Sequence, residues 1–256
     1  MRHVAPFTSK SDFRPPDIAD TNLRGAVLQH LRTEIVSGKT GPGTIFSAPS
    51  LAKTLGISTT PVREALLELA GSGLVEPMKN RGFRVLHASA SDLKDLATLR
   101  AQLEVMAVRT ICMGQPVSCD TLEALASAVG EAVSERHATR YIAADRAFHL
   151  ELISLANNRY LTEMAMHLRD NMRIYGLESD AGFALQYESV KEHFQIIDAL
   201  RTQDTDEASR LMRAHVLAWV PVVSSGASAL VQAAKGRQDT LGDDQAIDVA
   251  DHPFVD

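Results

Sequence analysis

The chain has 256 residues, a formal net charge of −6, 45% hydrophobic residues and only 5% aromatics. That length buries a core in one large domain or two small ones, and a charged fraction of 23% excludes wholesale disorder. Two cysteines, Cys112 and Cys119, make neither a disulfide framework nor a thiolate zinc site; no apolar run reaches a membrane span and the N-terminus lacks a secretory stretch, so the expectation is a soluble cytoplasmic protein.

Residues 1–19, with Arg14-Pro15-Pro16-Asp17, carry neither a helical nor a strand period and read as a flexible arm. A helix is predicted from about Thr21 to Ser37, where Leu23, Val27, Leu31 and Ile35 recur every fourth residue. Gly38 ends it, and Gly41-Pro42-Gly43 turns the chain. Ser50 is placed to cap a short helix that turns Leu51, Ala52 and Leu55 inward, and Gly56 stops it. After the connection Gly56-Ile57-Ser58-Thr59, Thr60 is the expected N-cap of a third helix, with Pro61 at its first position, where the missing N–H is harmless. Val62, Ala65, Leu66 and Leu69 form one apolar stripe, closed by Gly71 and Gly73. Leu74–Pro77 and Phe83–Leu86 are short strand candidates around the polar tip Lys79-Asn80-Arg81-Gly82.

Helix, short helix, tight turn, helix and basic hairpin together describe a winged helix-turn-helix over residues 20–88. Such a unit offers the start of its third helix, Ser58 to Arg63, to a DNA major groove, because a helix N-terminus carries partial positive charge and free N–H groups. Arg63, two residues beyond Pro61 and off the apolar stripe, can reach a guanine edge or a phosphate, and Arg81 at the hairpin tip can reach the backbone or the minor groove. The charge distribution agrees. Residues 1–90 hold eleven Lys/Arg against seven Asp/Glu, a balance of +4, which leaves −10 on the remainder.

From Ser91 to about Val223 the pattern is helical throughout, with segments predicted at Ser91–Met113, Ser118–His137, Arg140–Ala156, Arg159–Tyr175, Tyr187–Gln203 and Thr205–Val223. Mostly short connections make this an all-α antiparallel bundle over 91–223; Gly176 to Gln186 reads as a looser link or an extra turn. Residues 224–256 turn to Gly, Ser, Gln and Asp and read as a flexible acidic tail, with a turn or two of helix open at Ala227–Ala234. The fold class is mainly α.

Asp145 and His149 lie four residues apart and share a helix face. His193 and His215 lie at nearly matched distances on either side of the turn near residues 203–204, which puts them at one height on a helical hairpin. One carboxylate and three imidazoles at one level suit zinc, and also nickel or manganese, with positions left for water or a ligand. The alternative is four satisfied or surface side chains, the reading adopted for His30, His137 and His167. A catalytic zinc hydrolase is a second alternative. It lacks a His-Glu-x-x-His run and a general base beside the site, since Glu151 points to another helix face. A dedicated metal sensor is a third.

These residues carry a family resemblance. Ile35-Val36-Ser37-Gly38, Leu51-Ala52, Leu55-Gly56-Ile57-Ser58, Thr60-Pro61-Val62-Arg63-Glu64-Ala65-Leu66, Gly73-Leu74-Val75 and Arg81-Gly82-Phe83 resemble the DNA-binding domain of the GntR family of bacterial transcription regulators. Residues 92–220 resemble the FCD ligand-binding domain of its FadR-type subfamily, in which Asp145, His149, His193 and His215 match the metal ligands. The resemblance implies a homodimer on a short inverted-repeat operator, with Lys53, Ser58, Thr59, Thr60, Arg63, Arg81 and Gly82 at the DNA. It also implies a small carboxylic-acid effector that binds beside the metal and changes DNA affinity. Arg100, in Leu99-Arg100-Ala101-Gln102-Leu103-Glu104, matches a family arginine facing the effector pocket, with Arg169 and Arg173 as further candidates. Two positions depart from the family pattern: Thr59 stands where many relatives have arginine, and Pro49 where they have a basic or polar residue.

Overall fold

The computed structural model describes residues 23–174 and 177–225. The predicted arm over 1–19, the predicted tail past Ser225 and the open helical turns at Ala227–Ala234 lie outside the described residues. The chain divides between His87 and Ala88 into two compact units.

The first unit contains α1 (Leu23–Val36), β1 (Ile45–Phe46), α2 (Ala48–Leu55), α3 (Thr59–Gly71), β2 (Val75–Met78) and β3 (Gly82–Val85). α1 and α2 both pack on α3. Val27, Leu31, Ile35, Val62, Leu66 and Leu69 are fully buried between them, so the apolar stripes read from the sequence are the core. The hairpin of β2 and β3 pairs Val75 with Val85 and Met78 with Gly82. β1 adds a third antiparallel strand on the other side of β3, pairing Phe46 with Phe83. Two residues carry no readable period, which is why this strand is absent from the sequence reading.

Both predicted helix starts in this unit need correction. α2 begins behind Ser47, whose hydroxyl accepts from the Ser50 N–H at 3.5 Å, so Ser50 lies inside the helix and Pro49 occupies its first turn. α3 begins behind Ser58, which puts Pro61 third and Arg63 fifth in the helix. The reason is common to both: the first four N–H groups of a helix have no intrahelical acceptor, so proline fits anywhere in the first turn and does not mark its start. Gly56 does stop α2, in the left-handed conformation (φ 69°), with its N–H returning to the carbonyls of Ala52 and Lys53.

The second unit is a helical bundle of α4 (Ala90–Cys112), α5 (Asp120–Ser134), α6 (Ala138–Ser154), α7 (Arg159–Asn171), α8 (Asp180–Arg201) and α9 (Thr205–Ala218), with helical backbone again over 220–225. α4 packs against α9, α7 and α6, α5 against α6 and α8, and α8 against α9. Ser89 and Asp92 cap α4 reciprocally, two residues before the predicted start. α7 ends at Asn171, four residues short of the prediction, because Met172 takes extended backbone. The stretch read as a looser link or an extra turn is largely helical, the first two turns of α8: the Ser179 hydroxyl accepts from the Gly182 N–H at 3.1 Å, and Gly182 is buried. A glycine among alanines dilutes the apolar period there, and the packing of the bundle overrides it.

Candidate metal centre and nucleic-acid interface

α6 carries Asp145 and His149 on one face, α8 brings His193 and α9 brings His215. One potential ligand atom from each lies within 4.8 Å of all the others, and all four residues are buried. Nε2 of His149 and Nε2 of His215 are 3.1 Å apart. Asp145 Oδ1 stands 3.4 Å from His193 Nε2 and 3.9 Å from His149 Nε2.

The protonation of these rings is set from behind. Glu104, on α4, places Oε2 2.6 Å from His149 Nδ1, and Glu192, on α8, places Oε2 2.7 Å from His215 Nδ1. An ionised carboxylate only accepts, so each Nδ1 carries the proton and each Nε2 presents a lone pair. Two lone pairs facing each other at 3.1 Å repel unless a cation draws both. Two nitrogens bound to one zinc ion at roughly 2.0–2.1 Å stand about 3 Å apart, so the spacing fits that role. Asp145 Oδ1 and both ring nitrogens of His193 are buried with no hydrogen-bond partner. Each such orphan costs about 1–3 kcal/mol, and a shared cation satisfies Oδ1 and one His193 nitrogen together.

Electrostatics hold the donors in the ligating form. Burial, against the pull of Glu104, pushes His149 down to about 4. Burial and the neighbouring His215 lower His193 well below the usual imidazole range. Burial alone would raise Asp145, but Arg169 together with His149, His193 and His215 outweighs it, and the carboxyl stays well below the usual carboxylate range. Glu104 is likewise lifted by burial and brought far below that range by Arg100 and His149. His149 and His193, both held in the neutral form, and the Asp145 carboxylate therefore face one point together with His215, and this is a donor set for a divalent ion.

A cavity opens beside them with Arg100, Asp145, His149, Arg169 and His215 on its polar wall and Trp219 on its apolar one. Its volume is about 20 Å³, room for an ordered water. Arg100 bonds Glu104 at 2.5 Å and approaches His149 Nε2 at 3.5 Å; Arg169 bonds Asp145 Oδ2. Arg173, the third predicted arginine, is buried outside this cavity wall and donates to the Asn171 carbonyl at 2.8 Å. Glu104 and Glu192 went unassigned from sequence. Arg100 and Glu104 show only an i, i+4 ion pair, the commonest pattern of a solvated helix, and Glu192 shows nothing beyond its place before His193. His137 caps α6 and His167 bonds Asn171, both local structural roles.

In the first unit, Lys53, Ser58, Thr59, Thr60, Arg63 and Arg81 are all exposed. Arg24 pairs with Glu68 and Arg84 with Glu76, whereas Lys53, Arg63, Lys79 and Arg81 enter no salt bridge among the described residues. Gly82 has a different reason to be there: its φ is 108°, and a Cβ would stand 2.2 Å from the Phe46 carbonyl oxygen, so β1 and β3 meet only because it is glycine.

Residues 23–85 match the model of the bacterial regulatory proteins of the gntR family, and residues 95–218 match the FCD domain. An HTH-type transcriptional regulator in an unstable DNA locus of Streptomyces ambofaciens is 30% identical over 205 residues, 77% of this chain and 83% of its own length. The HTH-type transcriptional repressor GlaR of Escherichia coli is 26% identical over 202 residues, 75% of this chain and 92% of its own. Among solved structures, E. coli McbR/YncC superposes with a TM-score of 0.66 at 25% identity, covering 84% of this chain and all of that one. With a winged helix-turn-helix ahead of an FCD bundle, the chain belongs to the GntR family of transcription regulators, in its FadR-type branch, and is a DNA-binding protein.

Proposed function

We propose that the protein is a homodimeric, effector-responsive regulator in which Asp145, His149, His193 and His215 hold one divalent metal, zinc first and nickel or manganese next, and in which a small carboxylic acid bound at that site changes affinity for an inverted-repeat operator. The observation that carries this reading is the buried Asp/His₃ set with three unpartnered donor atoms. A bound divalent ion supplies positive charge and open coordination positions. The chain's own part is to orient the imidazoles through Glu104 and Glu192 and to keep Arg100 and Arg169 at the cavity wall, where a carboxylate can take one of them from its present partner. The metal in this reading serves binding and not turnover, in keeping with relatives that are named as regulators. On the head, Lys53, Ser58, Thr59, Thr60, Arg63 and Arg81 meet DNA, with Gly82 shaping the wing. Among the described residues no helix is long and apolar enough to cross a membrane, and the reading places the protein in the cytoplasm.

One observation favours a second reading. The cavity, at about 20 Å³, has room for a water and is too small for an organic acid without movement of its walls, as suits a site whose only signal is the metal. Operator binding by metal-loaded protein, by chelated protein, and by loaded protein with a panel of small carboxylic acids separates the two. Release by an acid with the metal retained supports the first; release by chelation with no response to any acid replaces it with the sensor.

A further inference from the structure

The ligand set has a second layer one helical turn away. Tyr141 precedes Asp145 by four residues on α6, Ser189 precedes His193 by four on α8, and Trp219 follows His215 by four at the end of α9. α9 runs back along α8 as the second arm of a helical hairpin, so all three offsets point the same way along the bundle, about 6 Å from the ligands. The contacts agree. The Tyr141 and Trp219 rings lie 6.3 Å apart, and the Ser189 hydroxyl stands beside the Tyr141 hydroxyl. Tyr141 and Ser189 are both buried, and Tyr141 forms part of the cavity wall next to the metal candidates, with Trp219, Met172 and Val223 as apolar neighbours. Ser189 Oγ has no hydrogen bond of good geometry among the described residues. Burial, with the Asp145 carboxylate, keeps the phenol far above its ordinary range, so it stays protonated and can donate. Two uncharged hydroxyls in an otherwise apolar layer, one of them unsatisfied, are unfavourable until a third oxygen completes the group.

We propose that Tyr141 and Ser189 form a second subsite for the effector, and that the effector is an aliphatic hydroxy acid with one carboxylate at the level of the metal and an uncharged hydroxyl at the level of Tyr141. The inference rests on the effector reading above and names the chemical class of the acid. Charge decides between a hydroxyl and a second carboxylate. With a divalent ion bound, the site holds four positive charges, two from the ion and one each from Arg100 and Arg169. Against them stand three negative ones, from Asp145, Glu104 and Glu192. One carboxylate closes that balance, and a second would bring an uncompensated charge into a buried layer of phenol, hydroxyl and indole. A hydroxyl there accepts from the Tyr141 phenol and donates to Ser189 Oγ, while Ser189 donates to the phenol oxygen, so every proton has an acceptor. Met172 and Ile174 lie past the end of α7, outside any helix, and are the part of the wall that can yield to admit the acid.

The test uses the full-length, metal-loaded protein and isothermal titration with four acids of one chain length: butanoate, 3-hydroxybutanoate, 4-hydroxybutanoate and succinate. Wild type is expected to bind one of the two hydroxy acids at least about tenfold more tightly than butanoate and than succinate, with the larger rise in melting temperature. In Tyr141→Phe that preference is expected to fall to about one. In Ser189→Ala, which keeps the phenol and removes its partner, it is expected to shrink at least about threefold. Metal content is measured on every sample, and if Tyr141→Phe loses its ion the decision passes to Ser189→Ala. Equal binding of butanoate and the hydroxy acids by wild type, or an undiminished preference in a variant that retains its ion, overturns the hydroxyl subsite and leaves a carboxylate effector standing. Tightest binding of succinate overturns the charge balance and with it the hydroxy-acid assignment. No binding of any of the four acids at millimolar concentration overturns the carboxylic-acid reading together with this one.

Discussion

Both ring nitrogens of His193 are buried without a hydrogen-bond partner, and Asp145 Oδ1 faces them in the same condition. This arrangement is unfavourable in a metal-free protein and favourable in a loaded one, so substitution should change sign with the metal. His193→Leu, of similar volume and without polar atoms, is expected to raise the melting temperature of chelated protein. It should leave the variant at least about 5 °C below metal-loaded wild type, because the bound ion stabilises only the native wild type; calorimetry with and without chelator checks both halves. Glu104→Gln tests the support behind His149. Loss of the carboxylate's hold on the Nδ1 proton should weaken metal affinity about 10–100-fold with the far-UV spectrum unchanged, as read by competition with a chromogenic chelator. The four ligand candidates were legible because helical spacing fixes which side chains share a level. Glu104 was not: an Arg-x-x-x-Glu pair looks the same on a wet surface and in a buried site, and only tertiary packing separates them.

At the scale of elements, α2, α3 and the β2–β3 hairpin present Lys53, Arg63, Lys79 and Arg81, which enter no salt bridge among the described residues, and the glycines around them made these elements readable in the sequence. The two helix starts were misplaced because proline marks a first turn and not its first residue, and β1 was invisible because it is two residues long. Arg63→Ala is expected to lower operator affinity about 10–100-fold with no change in melting temperature, the signature of a lost contact and not of a damaged fold; fluorescence anisotropy on the native upstream DNA measures it. Gly82→Ala should do the reverse in order of cause. The added Cβ meets the Phe46 carbonyl, the sheet of β1, β3 and β2 has to shift, and the head should melt several degrees lower, with DNA binding lost as a consequence.

For the whole molecule, the net charge of −6 conceals a +4 segment that contains the recognition helix and wing, and a −10 remainder that contains the helical bundle. A bare +4, with two of its cations tied into the Arg24–Glu68 and Arg84–Glu76 pairs, gives weak non-specific attraction to DNA, so in the proposed function much of the affinity comes from base contacts and from the two heads of a dimer acting together. Fold class and the order of the two units followed from periodicity, caps and glycines. The buried face of α4 was harder to read, since Leu99 and Met106 on its exposed side blur the apolar period. The central claim is that the bundle is built around a metal. Elemental analysis by plasma mass spectrometry of wild type and His193→Leu, purified side by side without added metal, tests it most directly. About one divalent ion per wild-type chain and almost none in the variant is the predicted result; equal metal in both, or none in either after reconstitution with zinc, would contradict it.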